Sequence, residues 1–195
     1  MKADLYDFDK TVFPTDSETA FWLFCLRKHP KIAVLIPYQA ASILCFVLGL
    51  GNKSRMKGRF FCFLRMVNGE ALAKQFWSKY HKKIYPFFRP ENRKLPAVVC
   101  SASPEFFLRP VCERLEVEKL IATKMNPKTG EILWENCKGR EKVRRIREEL
   151  PGYEFESVYS DSLKNDKYMM ELGKRRVRAK RGKLKEITAQ KRGPS

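Results

Sequence analysis

Three short apolar runs set the frame of the chain: ADLYDF at residues 3–8, PAVVCS at 96–101 and FESVYSD at 155–161. Each is bounded by turn or polar residues and followed by a stretch with apolar residues at helical spacing. That alternation predicts an α/β fold, a mostly parallel sheet whose strands end at a common edge. Between the second and third runs, LIATKMNPKTGEILWEN (120–136) reads as two extended pieces around the turn NPKTG, a hairpin at the sheet edge or just outside it.

Residues 14–91 break the alternation. TDSETAFWLFCLRKH offers two N-caps, Thr15 or Ser17, and GEALAKQFWSKYHKKI carries Leu72, Phe76, Tyr80 and Ile84 on one helical stripe. So much helix after the first strand predicts a helical cap inserted over the site, residues 14–91, with 1–13 and 92–195 forming the core. Phe60, Phe61, Phe63 and Trp77 are read as the cap's own core.

One part of the insertion is unusual. IAVLIPYQAASILCFVLGL, residues 32–50, carries no charge over 19 residues and is flanked by RKHPK and NKSR. Its length reaches the lower range for a membrane span, but Pro37, Gln39 and Ser42 interrupt it and Gly49 and Gly51 close it. Three readings stand: a buried helical hairpin broken near Pro37, a segment that dips into or lies on a membrane, or a full membrane span. Its position and the lack of a small-residue cleavage site argue against a signal peptide.

Composition bounds the rest. A chain of 195 residues with 44% hydrophobic content buries one good core. The six cysteines show no C-x-x-C spacing and sit mostly among apolar neighbours, which points to reduced thiols in a cytoplasmic setting, with neither zinc nor disulfides. The formal charge of +18 suggests nucleic acid first. From Lys174 onward, however, there are ten Lys or Arg and one acid, Glu186, without interleaved aromatic residues. A tail of this kind is read as solvated surface or a contact to anionic lipid, and nucleic acid is set aside as a partner.

The polar residues that follow the apolar runs carry the chemistry. Strand-end positions place Asp7 and Asp9, then Ser101, then Asp161 with Asn165 and Asp166, at the ligand edge of a parallel sheet. In strand geometry Asp7 and Asp9 share a side and repel each other unless a cation or a shared proton lies between them. NCKGREKVRRI adds Lys138 just before a helix and Lys142 one turn into it. Converging carboxylates suit a hard cation such as Mg²⁺. A lysine, a serine hydroxyl and the backbone N–H groups after it, beginning with Ala102, suit a phosphoryl group. Ser103 is read as the cap of the helix beginning near PEFFLRP.

The order of these pieces resembles the haloacid dehalogenase-like hydrolase superfamily: DFDKT, VVCSAS, NCKGREKV and YSDSLKND stand in the positions of its four motifs. The insertion after the first motif is similar to the helical cap of the phosphoserine phosphatase-like branch. The resemblance implies a Rossmann-like core and a Mg²⁺-dependent phosphatase. Asp7 would be the nucleophile that forms an aspartyl-phosphate, and Asp9 the general acid and base whose carbonyl also meets the metal. Thr11 would support the loop, Ser101 and Ala102 would hold phosphoryl oxygens, and Asp161 with Asp166 would complete the metal shell. Either Lys142 or Lys138 would be the motif lysine, and Asn165 competes with Asp166 for the last acidic position. Lys10 stands where many members carry glycine.

The implied substrate is a small phosphorylated metabolite such as phosphoserine, or a lipid phosphate. The uncharged segment and basic ending also resemble membrane-associated phosphatidylglycerophosphate phosphatases, which would place the protein peripherally on an anionic membrane surface. A reading of another class is a basic adaptor that binds anionic lipid or nucleic acid without turnover.

Overall fold

Six strands form one sheet in the computed structural model, which describes residues 1–187. β1 (Lys2–Tyr6) lies inside the sheet between β2 (Ala97–Pro104) and β4 (Glu154–Ser160). β3 (Lys119–Thr123) lies beyond β2, and β5 (Gly173–Lys180) and β6 (Lys183–Ile187) lie beyond β4, giving the order β3-β2-β1-β4-β5-β6. The first five strands pair in parallel and β6 is antiparallel. The alternating α/β reading therefore describes the core.

The period-two pattern divides the buried side chains between two faces. Ala3, Leu5, Val98 and Cys100 pack with Ile146 of α6 (Arg140–Glu149) and Met169 and Met170 of α7 (Lys167–Met170). Tyr6, Ala97 and Val99 join the opposite cluster. That cluster also takes Phe21, Phe24 and Cys25 from α1 (Ser17–Lys28), Leu72, Ala73, Phe76 and Trp77 from α4 (Gly69–Tyr80), and Phe107, Leu108 and Val111 from α5 (Glu105–Arg114). Phe61, Phe63 and Trp77 are buried and Phe60 is partly buried, yet they share one continuous core with the sheet rather than forming a separate one. Trp77 shows the join: its ring meets Phe8 and Phe13 edge-on at 5.6 and 5.3 Å, and its Nε1 donates to the Phe107 carbonyl at 2.6 Å.

Several local readings are corrected. α1 is capped by Asp16, whose carboxylate accepts from the Thr19 N–H at 2.8 Å, and not by Thr15 or Ser17. The expected hairpin at 120–136 reduces to β3 and one antiparallel bridge, Met125 to Ile132. Ser103 does not cap α5, whose N-cap is Pro104 with no side-chain bond. The basic ending is not simply solvated surface: residues 173–187 are strands of the sheet, with Val177 and Ala179 buried. Lys191 and Arg192 lie outside the described residues.

The uncharged segment is not a buried hairpin. A 3₁₀ turn (Pro30–Leu35) leads into α2 (Ile36–Val47), with Pro37 in the first turn of the helix, where its missing N–H costs nothing. Only Gln39 and Ser42 of α2 are buried. α3 (Lys53–Phe60) packs beside it, and the Gln39 Nε2 donates to the Phe60 carbonyl at 2.7 Å.

The shared core makes a direct prediction. Trp77→Ala should lower unfolding free energy by about 3–5 kcal/mol, whereas Trp77→Phe, which loses mainly the hydrogen bond, should cost about 0.5–1.5 kcal/mol. Urea unfolding checks both values, and an alanine variant within experimental error of wild type would show that the helices do not share the core of the sheet.

Candidate active site

Sheet register brings the polar strand ends together. Tyr6 lies beside Val99 on β2 and Tyr159 on β4, so Asp7, Cys100–Ser101 and Ser160–Asp161 leave the sheet side by side. β1 ends at Tyr6, before either acid of DFDKT, and the Asp7 N–H donates to the Tyr159 carbonyl at 2.9 Å. The chain then winds into a tight turn in which the Phe8 carbonyl accepts from the N–H groups of Thr11, Val12 and Phe13. This turn overrides the strand geometry that would have placed Asp7 and Asp9 on one side. Lys10 sits in it at φ 61°, a left-handed conformation that explains why glycine suits this position.

The two acids consequently meet different partners. Asp7 is buried: its Oδ1 accepts from the Lys142 ammonium at 2.6 Å, and its Oδ2 accepts from the Thr11 hydroxyl at 3.3 Å. The Thr11 oxygen in turn accepts from the Asp161 N–H at 2.8 Å, joining the first and last motifs. The Asp9 carboxylate accepts from the Ser17 N–H at 2.8 Å and the Ser103 hydroxyl at 2.6 Å. It therefore sits at the start of α1, where the helix dipole favours an anion.

Lys142, not Lys138, reaches Asp7. The second bond of its ammonium goes to Asp166 Oδ1 at 2.9 Å, and the other oxygen of Asp166 accepts from the Ser160 hydroxyl at 2.6 Å. Lys138 is exposed. Asn165 is exposed as well, whereas Asp166 is buried, so the acid one residue further along is the one that enters the site. Ser101 is buried and its hydroxyl accepts from the Ser103 N–H at 3.1 Å, which fixes the turn beyond β2. The Ala102 carbonyl accepts from Thr123 Oγ1 and from the Lys57 ammonium, each at 2.5 Å.

Burial dominates the electrostatics. It pushes Asp7 up to about 7, against the pull of Lys142 and with Asp166 and Asp9 adding repulsion. It pushes Asp9 up to about 6, helped by the nearby Glu18 and opposed by the bonds from Ser103 and Ser17. Asp161 is raised by burial and by Asp166. For Lys142, burial disfavours the ammonium, but Asp7 and Asp166 more than reverse that effect and hold it charged. Among the described residues, Lys142 is the sole ion-pair partner of these four carboxylates.

Four residues that sequence reasoning did not assign to the site belong to it. Ser103 and Ser17 hold Asp9, Ser160 orients Asp166, and buried Lys57 pairs with Glu18 beside the Ala102 carbonyl. Lys57 lies in a run of exposed bases and nothing in its spacing marks it. Ser17 and Ser103 did stand out, but as helix caps.

A family model described as haloacid dehalogenase-like hydrolase matches residues 5–171. Among solved structures, a protein of unknown function from Bordetella pertussis Tohama I superposes with a TM-score of 0.71 at 19% identity, covering 90% of this chain and 88% of that one. A probable phosphoserine phosphatase from Vibrio cholerae gives 0.59 at 16% identity, over 89% of this chain and 54% of that one. A phosphoserine phosphatase captured as a phospho-aspartyl intermediate analogue gives 0.52 at 18% identity, over 92% and 88%. At these identities the likeness establishes the fold. No curated protein matches the sequence.

The buried triad of Asp7, Lys142 and Asp166 fixes an expected result. Lys142→Ala leaves two carboxylates facing each other without their cation and should cost about 3–5 kcal/mol. Adding Asp166→Asn should recover part of that loss, and Lys138→Ala should change stability by less than about 0.5 kcal/mol. Equal, small effects in the two lysine variants, read by denaturant unfolding, would contradict the geometry.

Proposed function

This chain belongs to the haloacid dehalogenase-like hydrolases, and we propose that it is a Mg²⁺-dependent phosphomonoester hydrolase that works through an aspartyl-phosphate on Asp7. The observation that carries the reading is the separation of the two acids of DFDKT. Asp7 is aligned by Lys142 and Thr11, while Asp9 is held apart by Ser17 and Ser103. One carboxylate is thus aligned for attack while the other handles protons.

An Asp7 oxygen attacks phosphorus, the bond to the ester oxygen breaks, and Asp9 gives its proton to the departing alkoxide. Water then attacks the same phosphorus and yields its proton to Asp9. Inorganic phosphate leaves and the Asp7 carboxylate is restored. An Asp9 carboxyl pushed up to about 6 exchanges its proton readily near neutral pH. Lys142 screens the charge on Asp7 against the incoming dianion. The Ser101 hydroxyl and the N–H of Ala102 are placed to receive phosphoryl oxygens.

The donor set fits magnesium. Hard carboxylate oxygens are in excess, and burial and mutual repulsion raise Asp7 and Asp161, a strain that a divalent cation relieves. Among the described residues no cluster of three or more His, Cys, Asp or Glu forms a metal cage. Magnesium takes one or two carboxylates and keeps water and phosphate oxygens as its other ligands. Asp7, Asp161 and the Asp9 carbonyl would hold it. Asp166, expected as a ligand, shares the Lys142 ammonium with Asp7 and also accepts from Ser160, which makes it a positioning partner of Lys142 whether or not it also meets the metal. When bound, Mg²⁺ supplies neutralisation of charge between Asp7 and the phosphoryl oxygens.

A small phosphorylated metabolite is the substrate class that the fold neighbours named as phosphoserine phosphatases support. The Lys57–Glu18 pair lies beside the site, with Lys57 also holding the Ala102 carbonyl.

Phosphate release from phosphoserine and p-nitrophenyl phosphate should require Mg²⁺, vanish in Asp7→Asn and fall about 10²–10⁴-fold in Asp9→Asn. Release by Asp7→Asn at the wild-type rate would overturn the nucleophile. Independently of turnover, Mg²⁺ at about one hundred times its dissociation constant should stabilise the protein by about 2.7 kcal/mol in thermal melts. Asp161→Asn should abolish that shift. Magnesium-induced stabilisation with no phosphate release from any phosphomonoester would favour the binding-only adaptor.

A further inference from the structure

α2 is built inside out. Its two buried residues, Gln39 and Ser42, are polar, and the Gln39 Oε1 and Ser42 Oγ atoms facing the protein have no hydrogen-bond partner. The outward side is apolar: Ile36, Ile43, Leu44 and Val47 lie on one helical stripe, continued by Leu48 and preceded by Val34. Their exposure runs from 38% at Ile36 to 72% at Val47. A water-facing helix carries the opposite pattern, because apolar stripes are what a fold buries.

Charge says what covers this stripe. Between residues 19 and 69 the chain has eight Lys or Arg and no Asp or Glu. Lys57 is the buried one, and the other seven are exposed. Lys53, Arg55 and Arg59 stand on α3, which packs against α2. Arg55, Arg59 and Tyr38 line one cavity of about 750 Å³ whose wall also carries Trp134, 63% exposed on the turn that follows β3. Apolar residues, basic residues and two amphipathic aromatic rings therefore occupy one connected surface, whose one acid on the cavity wall, Glu131, is paired with Arg65.

We propose that α2, α3 and the Trp134 turn form a docking surface for an anionic lipid bilayer. α2 lies in the interfacial layer with its apolar stripe among the acyl chains, and the α3 bases meet headgroup phosphates. Trp134 and Tyr38 sit at the polar boundary that such rings favour. With the preceding 3₁₀ turn the helical stretch Pro30–Val47 is long and apolar enough to cross a membrane, but α2 lies on the surface rather than across it because Gln39 and Ser42 are buried against the protein and Gln39 ties that side to α3. A second copy of the chain fits less well, because pairing the same faces would bring like charges together with no acid in residues 19–69 to offset them. If the catalytic reading above holds, docking brings the enzyme to membrane-borne phosphomonoesters. The proposal itself rests on other residues, and its test reads binding rather than turnover.

The test is sedimentation with vesicles of phosphatidylcholine alone and of a three-to-one mixture with phosphatidylglycerol. Runs at about 0.1 M and about 1 M salt give Debye lengths of about 10 and 3 Å. Wild type should bind the anionic vesicles, release at high salt, and bind the neutral vesicles at least about tenfold more weakly. The double variant Leu44→Asp/Val47→Asp should lose at least about tenfold, since two charges then face the acyl layer. Lys53→Ala, Arg55→Ala and Arg59→Ala should each lose about fivefold. Trp134→Phe should remove a blue shift in tryptophan emission on binding. All these positions are exposed, and far-ultraviolet dichroism and melting temperature verify that the variants are folded. Three outcomes overturn the proposal: no binding to the anionic vesicles, undiminished binding by Leu44→Asp/Val47→Asp, or a lipid-free dimer that this double variant dissociates.

Discussion

Like-charge repulsion at the carboxyl edge of the sheet is the constraint to which the rest of the molecule answers. Asp7 and Asp166 are buried and Asp161 is partly buried beside them, where the chain leaves β1 and β4. Lys142 is the internal cation that lets them coexist, and it can reach only because α6 begins immediately after the Cys137–Gly139 loop and aims its first turn at Asp7. Buried ion pairs of this kind contribute little net stability against an apolar packing alternative. Their worth here is placement, since one ammonium fixes the relative positions of β1, α6 and the turn before α7. The remaining charge imbalance is what the magnesium ion proposed above would offset.

The sheet was legible where strands were apolar and ended in polar residues, as at residues 3–6, 97–101 and 155–160. β5 and β6 escaped because only Val177 and Ala179 of β5 are buried, so Lys and Arg fill the exposed positions and the pattern looks like a solvated tail. That composition has a reason of its own: an edge strand lined with bases resists pairing with another chain. The cap of α1 was missed by one residue because Thr15, Asp16 and Ser17 are all capping types. Which of them donates, accepts or faces inward depends on where β2 ends, and that is tertiary information.

The site was legible in outline and not in its wiring. Asp7, Asp9, Ser101, Asp161 and the choice between two lysines follow from motif order. The choice itself falls to helix geometry, since Lys142 lies one turn into α6 and points back at the sheet. The structure also moves Ser103, which the sequence marks as a helix cap, into the site. Ser101 braces its own turn, while Ser103 crosses to Asp9 and meets the Ser17 hydroxyl at 3.3 Å. Asp9 is in this way fastened both to the end of β2 and to the start of α1, so the residue assigned to proton transfer is also where helical insertion and sheet are knotted together.

The strand order carries a consequence for how the chain acquires its fold. β1 is the first strand made, yet its neighbours begin at Ala97 and Glu154, so it must wait for distant sequence before it can pair. Contacts of that separation are slow to form, because the entropy of closing the intervening loop is paid before the pairing rewards it. Meanwhile the phenylalanine-rich helices and the outward-facing apolar stripe of α2 are already synthesised. For much of its time on the ribosome the nascent chain therefore presents more greasy surface than the finished protein. Until β2 and β4 arrive, that surface has no completed sheet to pack against.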